Sequence, residues 1–220
     1  MQQKKTKEYF RSTAKQLRLD LPMDHVGMYE EAKRLKNRFV THRIGDYEHR
    51  GWKSLVLHGV SESHTDYWKA YGYESAVAAA EDSNWTKASE ECPIIMDFIR
   101  NTFPSQRFAR VRLMLLEANG YISPHTDSSV PILENINIAL NNPEGCIWQW
   151  GDGETLFMEP GSCYAMNIHY PHSIINNSNE DRYHLIIHRH DSTDEWKSLI
   201  HKACIEQNVS GEYFEHEILI

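Results

Sequence analysis

The sequence has little of what would mark a membrane-spanning, nucleic-acid-binding or disulfide-built protein. No apolar run approaches the ~20 residues that a bilayer-spanning helix requires. The opening MQQKKTKEYFRSTAKQLRLDLPMD holds no apolar stretch of signal-peptide type. Basic residues are in deficit: 23 Lys and Arg face 31 Asp and Glu, a net charge of -8. That balance argues against a nucleic-acid partner, because neutralising phosphates needs a basic surface. The one basic run, Lys4-Lys5-Thr6-Lys7, reads as a solvated tail. Four cysteines (Cys92, Cys146, Cys163 and Cys204) form no Cys-x-x-Cys pair. Reduced, buried thiols in a cytoplasmic protein are therefore expected. Proline and glycine, 8 and 11 in number, gather in short turns rather than in a linker. No repeat or low-complexity tract divides the chain, so a single domain over residues 1–220 is expected.

What is present is a folded composition, 40% hydrophobic and 25% charged. Residues 1–104 read as a mixed, helix-rich part, with a helix over 28–38 and a strand over 52–58. The stretch 61–104 looks largely helical. Pro93 suits the first position of a helix running to about Asn101, with Ile94, Ile95, Phe98 and Ile99 on one face. The texture then changes. Residues 107–117 alternate as a strand does and are followed by Asn119-Gly120, a turn signal. Further strands are predicted over 136–140, 146–150, 155–158, 162–167, 172–175 and 182–189. Turn chemistry such as Asn142-Pro143, Gly151-Asp152-Gly153, Pro160-Gly161 and Asn176-Asn177 separates them. Many short strands at this spacing indicate a sandwich or jelly roll over about 105–190. A last helix starts near Asp194, capped by Ser192 or Thr193, in a C-terminal part of helix and tail over 191–220.

Among 13 histidines, a few share a pattern that chemistry requires. In Pro124-His125-Thr126-Asp127 an extended backbone turns positions i and i+2 to one side, so His125 and Asp127 can converge on one ion. A histidine from a distant strand would complete the two-His, one-carboxylate facial triad of non-haem Fe(II) oxygenases. His169 and His172 are the candidates. The chain from His172 runs into an Asn/Ser turn and returns at Arg182, which predicts a hairpin with Arg182 across from Ser173 or Ile174. A guanidinium beside a metal suits bidentate capture of a carboxylate, and this selects His172. The blander readings are a surface pair at His125 and Asp127, and an ion pair of Arg182 with Glu180 or Asp181. His64-Thr65-Asp66 repeats the triplet by chance, with Thr65 or Asp66 as the cap of a helix at Tyr67-Trp68. His184 shares Arg182's strand face and reads as a buried, hydrogen-bonded histidine ahead of a ligand facing the cavity. Arg110 and Arg112 read either as solvent-facing or as anchors for a substrate carboxylate. Trp148 and Trp150 read as core packing ahead of lining a substrate mouth. Trp52, His42 and Arg43 lie in the N-terminal part, where substrate-specific elements are placed in such enzymes.

The ordered set of His125-x-Asp127, His172 and then Arg182 resembles the Fe(II)/2-oxoglutarate-dependent oxygenases. More narrowly it resembles the aspartyl/asparaginyl β-hydroxylase family. Supporting text runs from Phe103-Pro104 through Asn137-Ile138-Ala139-Leu140 and Trp150-Gly151-Asp152-Gly153-Glu154 to Asp191. The resemblance implies a mainly β fold, a double-stranded β-helix (jelly roll, cupin-like) with flanking N-terminal and C-terminal α-helices. It implies Fe(II) on His125, Asp127 and His172, and 2-oxoglutarate as co-substrate on Arg182. Two further family positions on the co-substrate, often His and Ser, fall at Asn137 and Met114. Animal protein β-hydroxylases carry Gly where Asp127 stands, so the chain is similar to the small-molecule branch. Expected is hydroxylation of a C–H bond of a free amino acid or small amino-acid-like substrate, with O2 consumed and succinate and CO2 released. Asp127 argues against halogenation, which needs that coordination position for chloride. Other readings are hydroxylation of an Asp/Asn or other residue in a peptide or protein, a cupin-like metal enzyme that needs no Arg182, and a non-catalytic binding barrel. No nucleic-acid or membrane partner is expected.

Overall fold

The computed structural model describes residues 4–45, 47–65 and 68–219. The chain opens with strands β1 (Lys4–Arg11) and β2 (Gln16–Leu19). Helix α1 (His25–Arg34) follows, its first turn closed by the Asp24 carboxylate accepting from the Gly27 N–H. A 3-10 turn over Lys36–Arg38 leads into β3 (Val40–Thr41) and the long β4 (His49–Gly59). Next come a second 3-10 turn (Trp68–Tyr71), α2 (Ala76–Glu81), β5 (Asn84–Trp85), α3 (Lys87–Glu90) and α4 (Pro93–Asn101). The central strands are β6 (Phe108–His125), β7 (Asn135–Ala139), β8 (Cys146–Trp150), β9 (Thr155–Leu156), β10 (Cys163–Met166), β11 (His172–Asn176) and β12 (Arg182–Arg189). Helix α5 (Asp194–Gln207) and β13 (Glu212–Leu219) close the chain. Thr193, not Ser192, caps α5 by accepting from the Trp196 N–H.

The strands run in the order β2-β10-β7-β12-β6-β11-β8-β9, with β4 on the other edge of β6. Strand β6 belongs to both halves of the barrel. Its residues 108–116 pair with β12, and its residues 121–125 pair with β11. Between them the strand bends where Asn119 takes a left-handed φ of 58° and where a Cβ at Gly120 would come 2.7 Å from the Arg50 and Glu117 carbonyl oxygens. Buried Asn176 pins the bend, its side-chain amide donating to the carbonyls of Leu116 (3.2 Å), Glu117 (3.1 Å) and Glu180 (2.8 Å).

Alternation along the larger sheet divides its two faces. Leu113, Leu115, Ile136, Ile138, Leu185 and Ile187 pack under the helices, against Met28, Ile95, Phe98, Ile99, Trp196 and Ile200. The opposite face looks into the barrel, where Leu116, Ala139, Tyr164 and Met166 meet Trp148, Trp150 and Ile174 of the smaller sheet. The result is a mainly β, double-stranded β-helix flanked by helices. Among the described residues no helix is long and apolar enough to cross a membrane, and the four cysteines are free and buried.

Several expectations are corrected. Strands β11 and β12 form no hairpin with each other; both flank β6, because the bend at 117–120 hands one edge of β6 from one to the other. Asn119-Gly120 is accordingly a bulge inside one long strand and not a turn. The stretch 61–104 carries two helices of six residues or fewer and a strand beside α4. Helix α1 stops at Arg34 and tightens into a 3-10 turn. The basic N-terminal run is no tail, and neither is the segment after α5, because β1 and β13 pair along their length. The core also extends beyond 105–190, since β2 and β4 of the N-terminal part complete the larger sheet.

Two consequences can be measured. Asn176→Ala leaves the Leu116 and Glu117 carbonyls at the bend without this donor and is expected to cost about 2–4 kcal/mol of unfolding free energy. Urea unfolding tests this, and a loss under about 0.5 kcal/mol would contradict the assigned role. Buried His42 and His184 have imidazole pKa values well below the ordinary range, through burial first and the neighbouring Arg112 and Arg182 second. In the unfolded chain these rings take up protons below about pH 6.5, whereas in the folded chain they do not. Stability is therefore highest above that pH and is lost as pH falls. The thermal midpoint should drop between pH 7.5 and 5.5, with a shallower slope in His184→Gln.

Candidate active site

His125 ends β6 and His172 opens β11, and the ladder between the two strands sets them directly opposite each other. Their ring centroids lie 4.3 Å apart. The Nδ1 atom of His125 donates to the Ser123 carbonyl (2.7 Å) and that of His172 to the Tyr170 carbonyl (2.9 Å). A carbonyl only accepts, so each Nδ1 carries the proton and each Nε2 keeps its lone pair. Asp127 follows the strand, its N–H held by the Ile168 carbonyl at 2.9 Å. Its Oδ2 lies 3.6 Å from Nε2 of His125 and 4.0 Å from Nε2 of His172. One ligand atom from each of the three residues fits within 4.8 Å. The Asp127 residue as a whole is exposed, but its side chain is only 20% so.

Neighbours fix the orientation of these groups. Trp148 stacks on His172 at 4.6 Å and 9°, and Tyr47 on His125 at 4.0 Å and 17°. The Tyr47 hydroxyl donates to Asp127 Oδ1 at 3.2 Å, and Arg43 Nη2 stands 3.8 Å from the same oxygen. Burial acting alone would raise the Asp127 carboxyl, but the neighbouring His125 ring and the charge of Arg43 hold it well below the usual carboxylate range. Burial pushes the His172 imidazole down to about 4. It is therefore neutral at ordinary pH, as a ligand must be. An anionic carboxylate and two imidazoles presenting Nε2 on one side of a cavity suit Fe(II) and leave further coordination positions open. His169 stands outside this cluster, bonded through Nδ1 to the Ser128 carbonyl at 3.2 Å.

Arg182 lies in the barrel on the same face as Leu116, its Cα partner on β6. It donates to Asn142 Oδ1 (3.2 Å) and to His184 Nδ1 (2.9 Å), with Met158 Sδ at 3.8 Å. The alternative pairing with Glu180 or Asp181 is absent among the described residues; Asp181 binds Lys36 instead. All the hydrogen-bond partners of Arg182 are thus neutral, and burial lowers the pKa of its guanidinium. Because the guanidinium only donates, His184 accepts on Nδ1 and carries its proton on Nε2. That Nε2 is buried without a partner among the described residues, as are the indole N–H groups of Trp148 and Trp150. A buried cation beside an unspent N–H donor on His184 is chemistry that fits a carboxylate. Met114 faces His184 across β6 and β12. Asn137 lies on the same barrel face of β7, its amide donating to Asn135 Oδ1 at 2.7 Å.

Sequence reasoning had no signal for Tyr47, Asn142 or Met158, whose contributions depend on loop paths. The Trp148 stack continues the i, i+2 parity already visible with Trp150. His64 and Thr65 are buried and outside the metal cluster; Asp66 and Tyr67, the rest of the expected cap, lie outside the described residues. The geometry predicts that His172→Ala and Asp127→Ala each lower Fe(II) affinity at least tenfold, while His169→Ala leaves it within about twofold. Anaerobic titration of Fe(II), followed by calorimetry, checks both. Equal losses from His169→Ala and His172→Ala would contradict the assignment.

The chain matches the model of the Aspartyl/Asparaginyl beta-hydroxylase family over residues 24–191. No curated protein matches it in sequence. Among solved structures it is similar to a Pseudomonas putida prolyl-4-hydroxylase, with 13% identity, a TM-score of 0.44, and 82% of this chain and 95% of that one covered. It is also similar to a prolyl hydroxylase from Trichoplax adhaerens in complex with a hypoxia inducible factor oxygen degradation domain peptide fragment. There the identity is 12% and the TM-score 0.45, with 85% and 87% covered. A third similar structure is the viral collagen prolyl hydroxylase of Paramecium Bursaria Chlorella virus-1, at 10% identity and a TM-score of 0.41, with 82% and 98% covered. The family match spans most of the barrel and its flanking elements: the chain belongs to the aspartyl/asparaginyl β-hydroxylase family and is a 2-oxoglutarate-dependent dioxygenase that uses Fe(II).

Proposed function

We propose that this enzyme hydroxylates a C–H bond of a free amino acid or small amino-acid-like molecule. In this reading His125, Asp127 and His172 hold the iron and Arg182 binds the far carboxylate of 2-oxoglutarate. The observation that carries it is the convergence of three ligand atoms within 4.8 Å, with a buried, neutrally partnered arginine inside the same barrel. The bound metal and co-substrate supply the oxidising power, with succinate and CO2 as co-products.

The protein's part is positional and electrostatic. Backbone carbonyls of Ser123 and Tyr170 keep both imidazoles in the ligating tautomer. Arg182 and the Nε2–H of His184 offer donors to a carboxylate on the barrel side. Asn137 and Met114, on the same face, are the remaining candidates for co-substrate contact, Met114 by packing only. Trp148 and Trp150 wall the site with apolar surface that keeps water away. Support for a small substrate comes from the size of the cavity reaching Asp127, about 440 Å³, within the range of small-molecule sites.

The test is succinate formation from Fe(II), 2-oxoglutarate and O2 with a panel of amino acids, followed by NMR. Succinate should rise with one class of substrate and fall at least a hundredfold in Asp127→Ala and Arg182→Ala. Turnover unchanged in Arg182→Ala would sink the assignment of the co-substrate to that residue.

A further inference from the structure

The cavity that reaches Asp127 takes one of its walls from outside the barrel, because Tyr9 of β1 lines it together with Asp127, Ser128 and Ile132. Strand β1 pairs with β13 along its length, in a two-stranded ribbon separate from the large sheet. Alternation gives this ribbon two faces. Phe10, 5% exposed, and its Cα partner Tyr213 turn to the core, their rings 5.1 Å apart. Strand parity then sends Tyr9 the other way, where it stacks on its own Cα partner Phe214 at 5.9 Å and 29°. The Arg11 guanidinium covers the Phe214 ring at 4.2 Å from its centre.

The ribbon is fastened to the segments that carry Asp127. The Leu133 N–H donates to the Phe10 carbonyl at 3.0 Å, and the Ser12 N–H to the Pro131 carbonyl at 3.3 Å. Fully buried Asn167 donates from its amide to the carbonyls of Ser12 and Ala14, each at 3.0 Å. The next residue, Ile168, accepts the Asp127 N–H on its carbonyl and lines the same cavity. Backbone carbonyls and amides of both segments therefore set where Tyr9 stands relative to the proposed metal ligands.

What this wall offers is size and not charge. Glu134 and Arg189 also line the cavity, but they are paired with each other, Arg189 Nη2 donating to both carboxylate oxygens at 2.9 and 3.0 Å. Ala76, Ala80, Ala109, Ile132 and Ile168 supply apolar surface. Small alanines on one side and a large ring on the other suit an apolar body of limited length. Both strands of the ribbon lie outside residues 24–191, the part that matches the family. A wall outside the shared barrel can differ with the substrate while the metal centre is kept.

We propose that the β1–β13 ribbon is a specificity element of this enzyme: Tyr9, backed by Phe214, sets how long an apolar side chain the cavity accepts. The substrate is then an amino acid or like molecule whose aliphatic chain ends against the Tyr9 ring. The inference rests on the small-substrate reading given above and deepens it.

The test uses the full-length protein with Fe(II) and saturating 2-oxoglutarate, without oxygen so that nothing turns over. Calorimetry measures the binding of straight-chain 2-amino acids from alanine to 2-aminooctanoate. Affinity should rise about fourfold with each methylene that finds room and fall at the length that meets Tyr9. Tyr9→Ala should move the best length by about two methylenes or more toward longer chains, and Tyr9→Trp by about one toward shorter ones. Fe(II) and 2-oxoglutarate should bind both variants as they bind wild type. Thermal unfolding verifies that each variant is folded, and Tyr9→Trp carries the test if Tyr9→Ala does not fold. An unchanged best length in the folded variants would overturn the proposal, and so would the absence of binding by every member of the series to all three proteins. A shifted length profile beside unchanged 2-oxoglutarate affinity in Arg182→Ala would uphold this inference and remove only the earlier assignment of Arg182.

Discussion

The rest of the molecule depends on how β6 changes partners at residues 117–120. One strand must serve two sheets, and it does so by bending at Asn119 and Gly120 while Asn176 satisfies the carbonyls that the bend strips from the ladder. Before the bend, β12 lies alongside and brings Arg182 to Leu116. After it, β11 lies alongside and brings His172 to His125. The proposed metal ligands and the proposed co-substrate anchor are therefore registered on a single rod of backbone. Their spacing is set by residue counts along β6 and not by the packing of loops, which is the kind of rigidity a site needs to hold a reacting geometry.

The interior of the barrel is unusual in its treatment of charge. Arg112 and Arg182 are both deeply buried, and their hydrogen-bond partners among the described residues are imidazoles, an amide and a thioether. Each arginine fixes a histidine as a neutral acceptor on one ring nitrogen. Beside Arg182 the positive charge then remains on the guanidinium while the Nε2–H of His184 is left as a neutral donor. In the proposed co-substrate site an anion arriving at Arg182 meets charge and a donor already oriented, so little reorganisation opposes binding. The two ends differ in surroundings. Arg182 is enclosed with Asn142, Met158 and His184, whereas Arg110 and Arg43 line a cavity adjoining the one that reaches Asp127.

Much of the candidate site was legible because it rests on short-range geometry. His125 and Asp127 follow from strand parity, and Arg182 and His184 share a face for the same reason. The six strands from 136 to 189 were legible from turn chemistry, and Pro93 marked the start of α4. The route to His172 was not. A hairpin between β11 and β12 was the natural expectation from the Asn/Ser turn, yet the two strands share β6 between them and do not touch as a ladder. His172 is singled out from His169 by its partner across β6, a long-range fact invisible to local pattern. The same holds for Arg112: its alternation with Met114 was visible, but burial between His42 and His188 required strands separated by some 70 residues in sequence.

By itself the sequence determined the alternation of faces, the turn positions and the donor types, because these follow from the backbone's period of two and from side-chain chemistry within a few residues. Asp127 beside His125, and a guanidinium two residues from His184, are fixed at that range. Only the tertiary structure decided which strand lies beside which, where β6 bends, and which arginines lose their water. Those outcomes depend on pairings between distant segments and on the packing that excludes solvent, and neither is encoded in any single stretch of chain.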